Sequence, residues 1–560
     1  MDTPVLIAGG GPVGMTLALT LSQHGVPAIL VERNPTTTKS PKMDITNGRS
    51  MELFRRLGIV ERLRAVGVSQ DEPFDVVWAT RLTGHILHRF HYPSPNEKRV
   101  QIKALNDGSQ TLEPPMRVSQ IVIEPVLKGA IDESSLIDVR FGWAFEALEQ
   151  DAEGVAATIR STETGETKQI RSLYLVGCDG GGSRVRRSLG IELGGRFGVT
   201  NVFMVHFKSR AHDILSRFGT TFHFQTGTGT MIAQNGVDTW TIQSRLPPDI
   251  DPAMLDPAEW LRKWVGQDFE FEILVANPWT PHLVIADRYI EGRVFLAGDS
   301  AHQVIPSGGY GMNTGIGDAI DLGWKLASVV NGWGGPALLT SYESERRQIA
   351  VQNRAAAGRH SDIRAAIGQL IVAAEREADL DAPEAAERRK ELGDKIAALG
   401  NAENESWGIE HGYRYENSPV IWPTEDNEIP PVFDPLVCTP TTWPGARLPS
   451  LFLSDDRALY DLLGPEFTLL VIGDQNADGF TRAASALGVP LTVVQLEPEP
   501  KLALLERKLL LIRPDHHVAW RGDGLPVDCD AVLARISGRG EVDAASQSTA
   551  MKEKAPLAAS

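Results

Sequence analysis

Three cysteines in 560 residues, Cys178, Cys438 and Cys529, are too few and too scattered for a disulfide framework or a CxxC metal or redox pair. Their scarcity fits a reducing cytoplasm. No apolar run reaches the roughly 18 residues of a membrane span, and the N-terminus has neither the basic region nor the cleavage pattern of a leader. Basic residues are outnumbered, 55 Lys and Arg against 72 Asp and Glu, for a net charge of −17. That charge repels phosphate backbones and anionic lipid, so nucleic acid and membrane surfaces are excluded as expected partners. There is no internal repeat and no metal-ligand spacing. His516 and His517, as adjacent strand residues, would point to opposite faces, and no metal is expected.

What is present is an ordinary globular composition, 42% hydrophobic and 23% charged. The length calls for two to four domains. Residues 4–32 hold a strand, then Gly9-Gly10-Gly11-Pro12-Val13-Gly14, then a helix with Val13, Leu17 and Leu21 on one side, then a second strand ending at Glu32. Each glycine of Gly9-x-Gly11-x-x-Gly14 has a separate use: the tight turn, the backbone's approach to a pyrophosphate, and helix-to-strand packing. An acid ending the second strand takes a ribose hydroxyl pair and disfavours a 2′-phosphate, so the bound dinucleotide is NAD or FAD.

Two later apolar runs also stop on Gly-Asp or Asp-Gly pairs. One enters Gly177-Cys178-Asp179-Gly180-Gly181-Gly182-Ser183-Arg184-Val185-Arg186. The other enters Gly298-Asp299-Ser300-Ala301-His302 and the glycine-crowded turn Pro306 to Gly315. The helix after that turn, predicted to reach about Val330, presents N–H groups and partial positive charge to an electron-rich ligand. Between the two stops lie strand-forming segments that read as an inserted antiparallel sheet. Residues 74–102 read as strands too, whereas 341–357 and 362–399 read as helices. The stretch 416–443 reads as a linker, followed by a small α/β domain with three strands and a helix at Phe480–Leu487.

Together these motifs resemble the flavin-dependent aromatic hydroxylases, the group of p-hydroxybenzoate hydroxylase and phenol hydroxylase, over about residues 1–360. The resemblance implies a Rossmann-like FAD-binding fold with an inserted antiparallel substrate domain and a C-terminal thioredoxin-like α/β domain. The expected division is 1–73, 106–190 and 286–360 for FAD binding, 74–105 and 191–285 for the substrate sheet, 361–430 for helices and linker, 431–540 for the thioredoxin-like domain, and 541–560 for a disordered tail. It further implies an FAD monooxygenase that consumes NADH or NADPH and O2 and hydroxylates a phenolic or polyketide-type aromatic through a flavin hydroperoxide. A Baeyer-Villiger or epoxidising enzyme of the same fold, and a non-catalytic flavin-binding protein, stay open as alternatives. The halogenase motif Trp-x-Trp-x-Ile-Pro is absent.

Residue by residue, the resemblance gives a cofactor set of Gly9, Gly11, Pro12, Gly14, Glu32, Arg33, Arg49, Gln120, Asp179, Asp299, Pro306, Gly309, Gly311, Met312 and Asn313. Gly9, Gly11 and Gly14 approach the pyrophosphate, Glu32 the adenosine ribose and Asp299 the ribityl chain. The family's Gly-Gly-Gln-Gly turn is Gly308-Gly309-Tyr310-Gly311 here, a departure at the active-site wall. Asp44 lies five residues before Arg49, the spacing of the phenol hydroxylase aspartate that deprotonates the phenol, and is the candidate base against a plain turn residue. Candidate substrate contacts are His223, Phe224, Gln225, Met231, Trp240, Arg245 and Tyr310. The C-terminal domain lacks paired cysteines, which leaves it a packing or homodimer role rather than thiol chemistry.

Overall fold

The computed structural model describes residues 1–247, 250–424 and 428–540; the expected tail at 541–560 lies outside the described residues. Strand Thr3–Ala8 is apolar on both sides because helices cover both faces of the sheet it sits in, as in parallel sheets generally. The path of that sheet runs Ile290–Glu291, Val294–Leu296, Thr167–Gly177, Thr3–Ala8, Ala28–Glu32, Ile137–Phe141. Its inner pairs are parallel, with Ala8 beside Gly177 and Val31, and Gly177 beside Leu296. The register therefore brings all three glycine motifs out at one end of the sheet, the carboxyl end, where such sheets bind ligands.

Helix α1 (Pro12–Gln23) and helix α3 (Tyr310–Val330) cross closely. A Cβ at Gly315 would fall 2.5 Å from Val13, and one at Gly323 2.6 Å from Thr20. Helix α2 (Gly48–Arg56) follows the Asp44 segment, its start capped by Asn47 on the Ser50 N–H.

Three elements differ from expectation. Within 74–102, only Val76–Ala79 and Ile86–Phe90 are strands; Pro95–Leu105 is a helix. Ser94 and Glu97 close a capping box there and Pro95 opens the first turn, local signals that prevail over strand propensity. The helices expected at 341–357 and 362–399 are divided elsewhere. Helix α4 runs unbroken through 42 residues, Pro336–Glu377, and the break falls at Ala378, ahead of Pro383. Gly358 is tolerated inside α4 because Ala356, Ala357 and His360 are buried around it, and tertiary packing outweighs propensity. The C-terminal sheet has a fourth strand, Val518–Gly522, in the order Leu491–Leu496, Phe467–Ile472, Leu509–Ile512, Val518–Gly522.

The inserted sheet has seven strands, antiparallel except where His223–Gln225 pairs in parallel with Val76–Ala79. Alternation divides its two faces. Phe224, Met231 and Trp240 join Phe203, Val205 and Phe207 in a core under helix Pro257–Val265. His223, Gln225, Thr230, Thr241, Gln243 and Arg245 take the opposite face by register.

Candidate active site

Gly9 is left-handed (φ 117°), and any side chain there would collide with Cys178, on the strand next door. A Cβ at Gly14 would collide with the Gly9 carbonyl, whereas one at Gly11 would meet nothing within 4 Å. The outer two glycines thus close the turn, and the middle one faces open space with the start of α1 behind it. Pro12 fills the first helical position, where no N–H is needed. Glu32 accepts from the Gly10 N–H at 2.8 Å and from the Asn34 side-chain and backbone N–H groups. Arg33 is exposed beside it.

At the second strand end the Asp179 carboxylate caps helix Arg184–Ser188, accepting from the Ser183 hydroxyl and from the Arg184 and Val185 N–H groups. Arg186, a residue the sequence reading did not single out, joins this loop to the third one by donating to the Ser300 carbonyl at 2.9 Å and to Gly181. In the third loop Gly298 is left-handed (φ 62°) and aims Asp299 outward. Asp299 is exposed, and the protein packed around its turn still pushes its carboxyl upward, against the opposing charges of His302 and Lys42. Among the described residues that carboxylate has no hydrogen-bond partner.

The Gly298 turn is fixed from behind. Asp318 on α3 accepts from the Gly298 N–H (3.1 Å), His302 Nε2 (2.8 Å) and Arg346 Nε (2.8 Å). Burial favours its neutral form, but the charges of His302 and Arg346 prevail and hold it below the usual carboxyl range. Arg346 also donates to the Thr314 carbonyl in the first turns of α3. Pro306 accepts from the Gly309 N–H, and both Gly308 and Gly309 are left-handed. Gly309 starts α3 with no side-chain cap, so Gly311 and Met312 enter a helix terminus whose N–H groups suit an anion. The Asn313 side chain is committed to protein, donating to Gly309 and Ile45 carbonyls and accepting from the Asn47 N–H. Gln120 is likewise committed, donating to Glu124 at 2.7 Å.

Asn313 thereby ties the α3 start to the segment that carries Asp44, and a Cβ on Gly309 would lie 2.5 Å from Ile45. From the sheet side His223 Nε2 meets Asp44 Oδ2 at 2.9 Å, with the two side chains 13% and 20% exposed. His223 stacks on Phe222 (ring centroids 3.8 Å apart), and its Nδ1 is buried without a partner. Arg117, paired in register with Ile45, lies over the other ring, 5.3 Å from the Phe222 centroid. Its guanidinium donates to the Thr221, Ala233 and Pro73 carbonyls. Burial lowers its pKa to about 10, opposed by the charges of Glu72 and Asp44. The sequence reading named Asp44 and His223 separately and missed both their pairing and Arg117.

Five expectations are corrected. Arg49 is not directed at a cofactor: its guanidinium is buried, donates to the Asp515 carbonyl at 2.6 Å and meets His516 and Glu52. It ties α2 to the C-terminal domain. Phe224, Met231 and Trp240 lie in the core on the far face of the sheet, where strand parity puts them out of reach of the groove. Tyr310 turns inward under its own turn, buried among Leu283, Ile305 and Ala356, with its hydroxyl 3.0 Å from His360 Nε2.

An open glycine cradle beside an acid-ended strand, an unpartnered carboxylate on a fixed turn and an uncapped helix start suit a long dinucleotide with a planar end group. Residues 2–357 match the family described as FAD binding domain. The chain belongs to the FAD-dependent aromatic-ring hydroxylases. In this hydroxylase residues 441–540 match a second family description, aromatic-ring hydroxylase, C-terminal. The FAD-dependent monooxygenase apdD of Emericella nidulans is 38% identical over 95% of this chain and 90% of its own. The 4-methyl-5-nitrocatechol 5-monooxygenase of a Burkholderia species is 31% identical, covering 95% and 96%. Among solved structures, the flavin-dependent monooxygenase PieE with FAD and substrate superposes with a TM-score of 0.86, at 29% identity over 96% of this chain and 99% of that one. The hydroxylase is thus an FAD enzyme acting on small aromatic molecules, with O2 and a reduced nicotinamide as the co-substrates of its family. Among the described residues no helix is long and apolar enough to cross a membrane.

Proposed function

We propose that this hydroxylase oxygenates a phenolic or polyketide-type aromatic ring, and that Asp44, held by His223, takes the phenolic proton. The observation that carries this reading is the 2.9 Å Asp44–His223 contact, made between the start of α3 and the groove face of the inserted sheet. Ring carbons attack electrophilic oxygen far faster from a phenolate than from a phenol. A carboxylate alone is a weak base for a phenol, so the proton needs a second group to hold it. With His223 Nε2 against Oδ2, the other carboxylate oxygen stays available to the acceptor. The buried Arg117 guanidinium, tied only to carbonyls, offsets the negative charge that develops.

Bound FAD supplies the activated oxygen, with electrons drawn from NADH or NADPH. This chain's part is to hold that cofactor at Gly11, Glu32, Asp299 and the first turn of α3, and to exclude water from the ring. One Gly-x-Gly-x-x-Gly unit opens the chain, so the nicotinamide reaches the flavin through the same cleft. Relatives named for phenol and nitrocatechol substrates favour ring hydroxylation over Baeyer-Villiger insertion or epoxidation. Cytoplasmic residence is supported by three free cysteines. A homodimer is supported by Ile429, Val432, Phe433, Leu436 and Val437, apolar side chains exposed within one short segment.

The test is Asp44→Asn. FAD content and fold survive, because the amide keeps size and most hydrogen bonds. Ring oxygenation of a phenol panel falls by roughly 10²–10⁴-fold, and hydrogen peroxide appears in place of product. Raising the pH toward the phenol's own pKa restores part of the coupling. Wild-type oxygenation at neutral pH in this variant would return Asp44 to a turn residue.

A further inference from the structure

Beyond the Asp44–His223 pair, the groove face of the inserted sheet carries donors without acceptors. Gln225 is 2% exposed, and its amide oxygen accepts from Thr230 Oγ1 at 3.1 Å. Its amide nitrogen is buried with no partner. Above Thr230, α4 places Arg364, whose side chain is 20% exposed, with a guanidinium nitrogen 3.5 Å from Thr230 Oγ1. The helix is seated tightly there: a Cβ on Gly227 would lie 3.3 Å from the Gly368 carbonyl, one turn along from Arg364. Two residues beyond Gln243 on the same face stands Arg245, an exposed residue whose side chain has no partner among the described residues. Burial pushes its guanidinium below the ordinary range, and the charge of Arg364 pushes the same way.

Arg245 and Arg364 are thus near enough for their charges to oppose one another, and Glu403 meets Arg364 at 3.2 Å. Glu403 offsets one of the two charges and leaves one cation in excess at this end of the sheet. Every unpartnered group named here is a donor, so the missing component is an acceptor, and the excess cation asks for an anion. Arg245 stands four residues along and two strands across from His223, about 16 Å by strand rise and spacing.

We infer that this end of the groove binds an anionic oxygen group, a carboxylate or an acidic enol, at the far end of an elongated phenolic acceptor, with Arg245 and Arg364 as its cations and the Gln225 amide as a further donor. The inference rests on the proposed acceptor groove and adds a chemical class and a length to it. A short phenol would occupy the Asp44 end and leave the arginines unmet. A long acceptor ending in an anion would span both.

The experiment uses FAD-loaded enzyme and two probe pairs, 4-hydroxyphenylpropanoate and 4-hydroxyphenyldecanoate, each against its methyl ester, with Kd from calorimetry. The long acid binds roughly 10–100-fold tighter than its ester, as expected for charge-assisted hydrogen bonds, and the short acid shows no such preference. Arg245→Gln and Arg364→Gln each erase the preference and leave the ester's Kd within about twofold. Arg364→Lys, which keeps the cation, retains part of it. Equal binding of long acid and ester to the wild type, or a preference that survives both Gln variants, overturns the inference. Product analysis in parallel separates the two readings: a preference without ring oxygenation leaves the anion site standing and removes the proposed role of Asp44.

Discussion

The cofactor fold meets its neighbours along two seams of opposite character. Toward the C-terminal domain the seam is charged and densely paired, although Arg49 Nε, Trp324 Nε1 and His517 Nε2 are buried without partners. Arg513 donates to Glu345, Asp321 and Asp515, and Lys325 bridges Asp321 and Glu345, all with side chains nearly or completely buried. Toward the inserted sheet, His223 Nδ1 and Gln225 Nε2 are buried without partners, and the exposed Arg245 and Asp299 side chains have none among the described residues. A buried charge that is satisfied by protein belongs to a permanent joint. A buried polar atom left open belongs to a place where something else arrives.

That contrast can be broken from either side. The largest effect falls on the paired seam, where Arg513→Ala strands three carboxylates against one lysine and costs about 3–5 kcal/mol of stability, read by denaturant unfolding. A loss below about 1 kcal/mol would mean that the seam admits water. On the open side the signature reverses. Asp299→Ala leaves unfolding of the FAD-free protein unchanged and weakens FAD retention by roughly tenfold or more, the worth of hydrogen bonds to a charged group. Unchanged flavin content after gel filtration would remove Asp299 from the cofactor site.

The smallest effect sharpens the comparison at an exception. Glu410 lines a small cavity with Asn47, Arg49, Asn313 and Tyr413, next to the paired seam, and its pKa is pushed up to about 7 by burial, with Lys98 opposing. A carboxyl raised above its unfolded value contributes stability that is fully present below about pH 4 and declines as pH rises through about 7. Glu410→Gln should flatten the thermal stability profile between those limits and stabilise the protein at pH 8, by about 1–2 kcal/mol after solvent screening. A profile parallel to wild type would show that Glu410 titrates in water.

How far the sequence reached follows the same division. The cradle was legible because each of its parts is local: an apolar strand, a stop on glycine, an acid at the next strand's end. Asp44 and His223 were each visible, but their contact spans 179 positions and depends on the parallel pairing of 223–225 with 76–79, which no local pattern encodes. Phe224, Met231 and Trp240 were taken for groove residues because the strands were recognised without their register, and one step of register decides the face. Arg49 was read toward the cofactor because its neighbours are motif residues. Its true partner, the Asp515 carbonyl 466 positions away, is set by how the C-terminal domain docks, and Arg364 lay inside a helix whose packing partner no local pattern names.

One helix carries both fixed points of the groove. Arg346, which steadies the Gly298 turn, and Arg364, which faces Arg245, lie on α4 at a spacing of 18 positions, or about five turns and 27 Å of helix rise. They consequently share a side of the helix, and the stretch between them works as a ruler graduated in residues. A single insertion there would lengthen the ruler by only about 1.5 Å while swinging Arg364 about 100° away from the sheet. With the proposed anion site at Arg364, substrate length would be adjustable by exchanging side chains along α4, and by adding or deleting whole turns, but not by small changes in chain length.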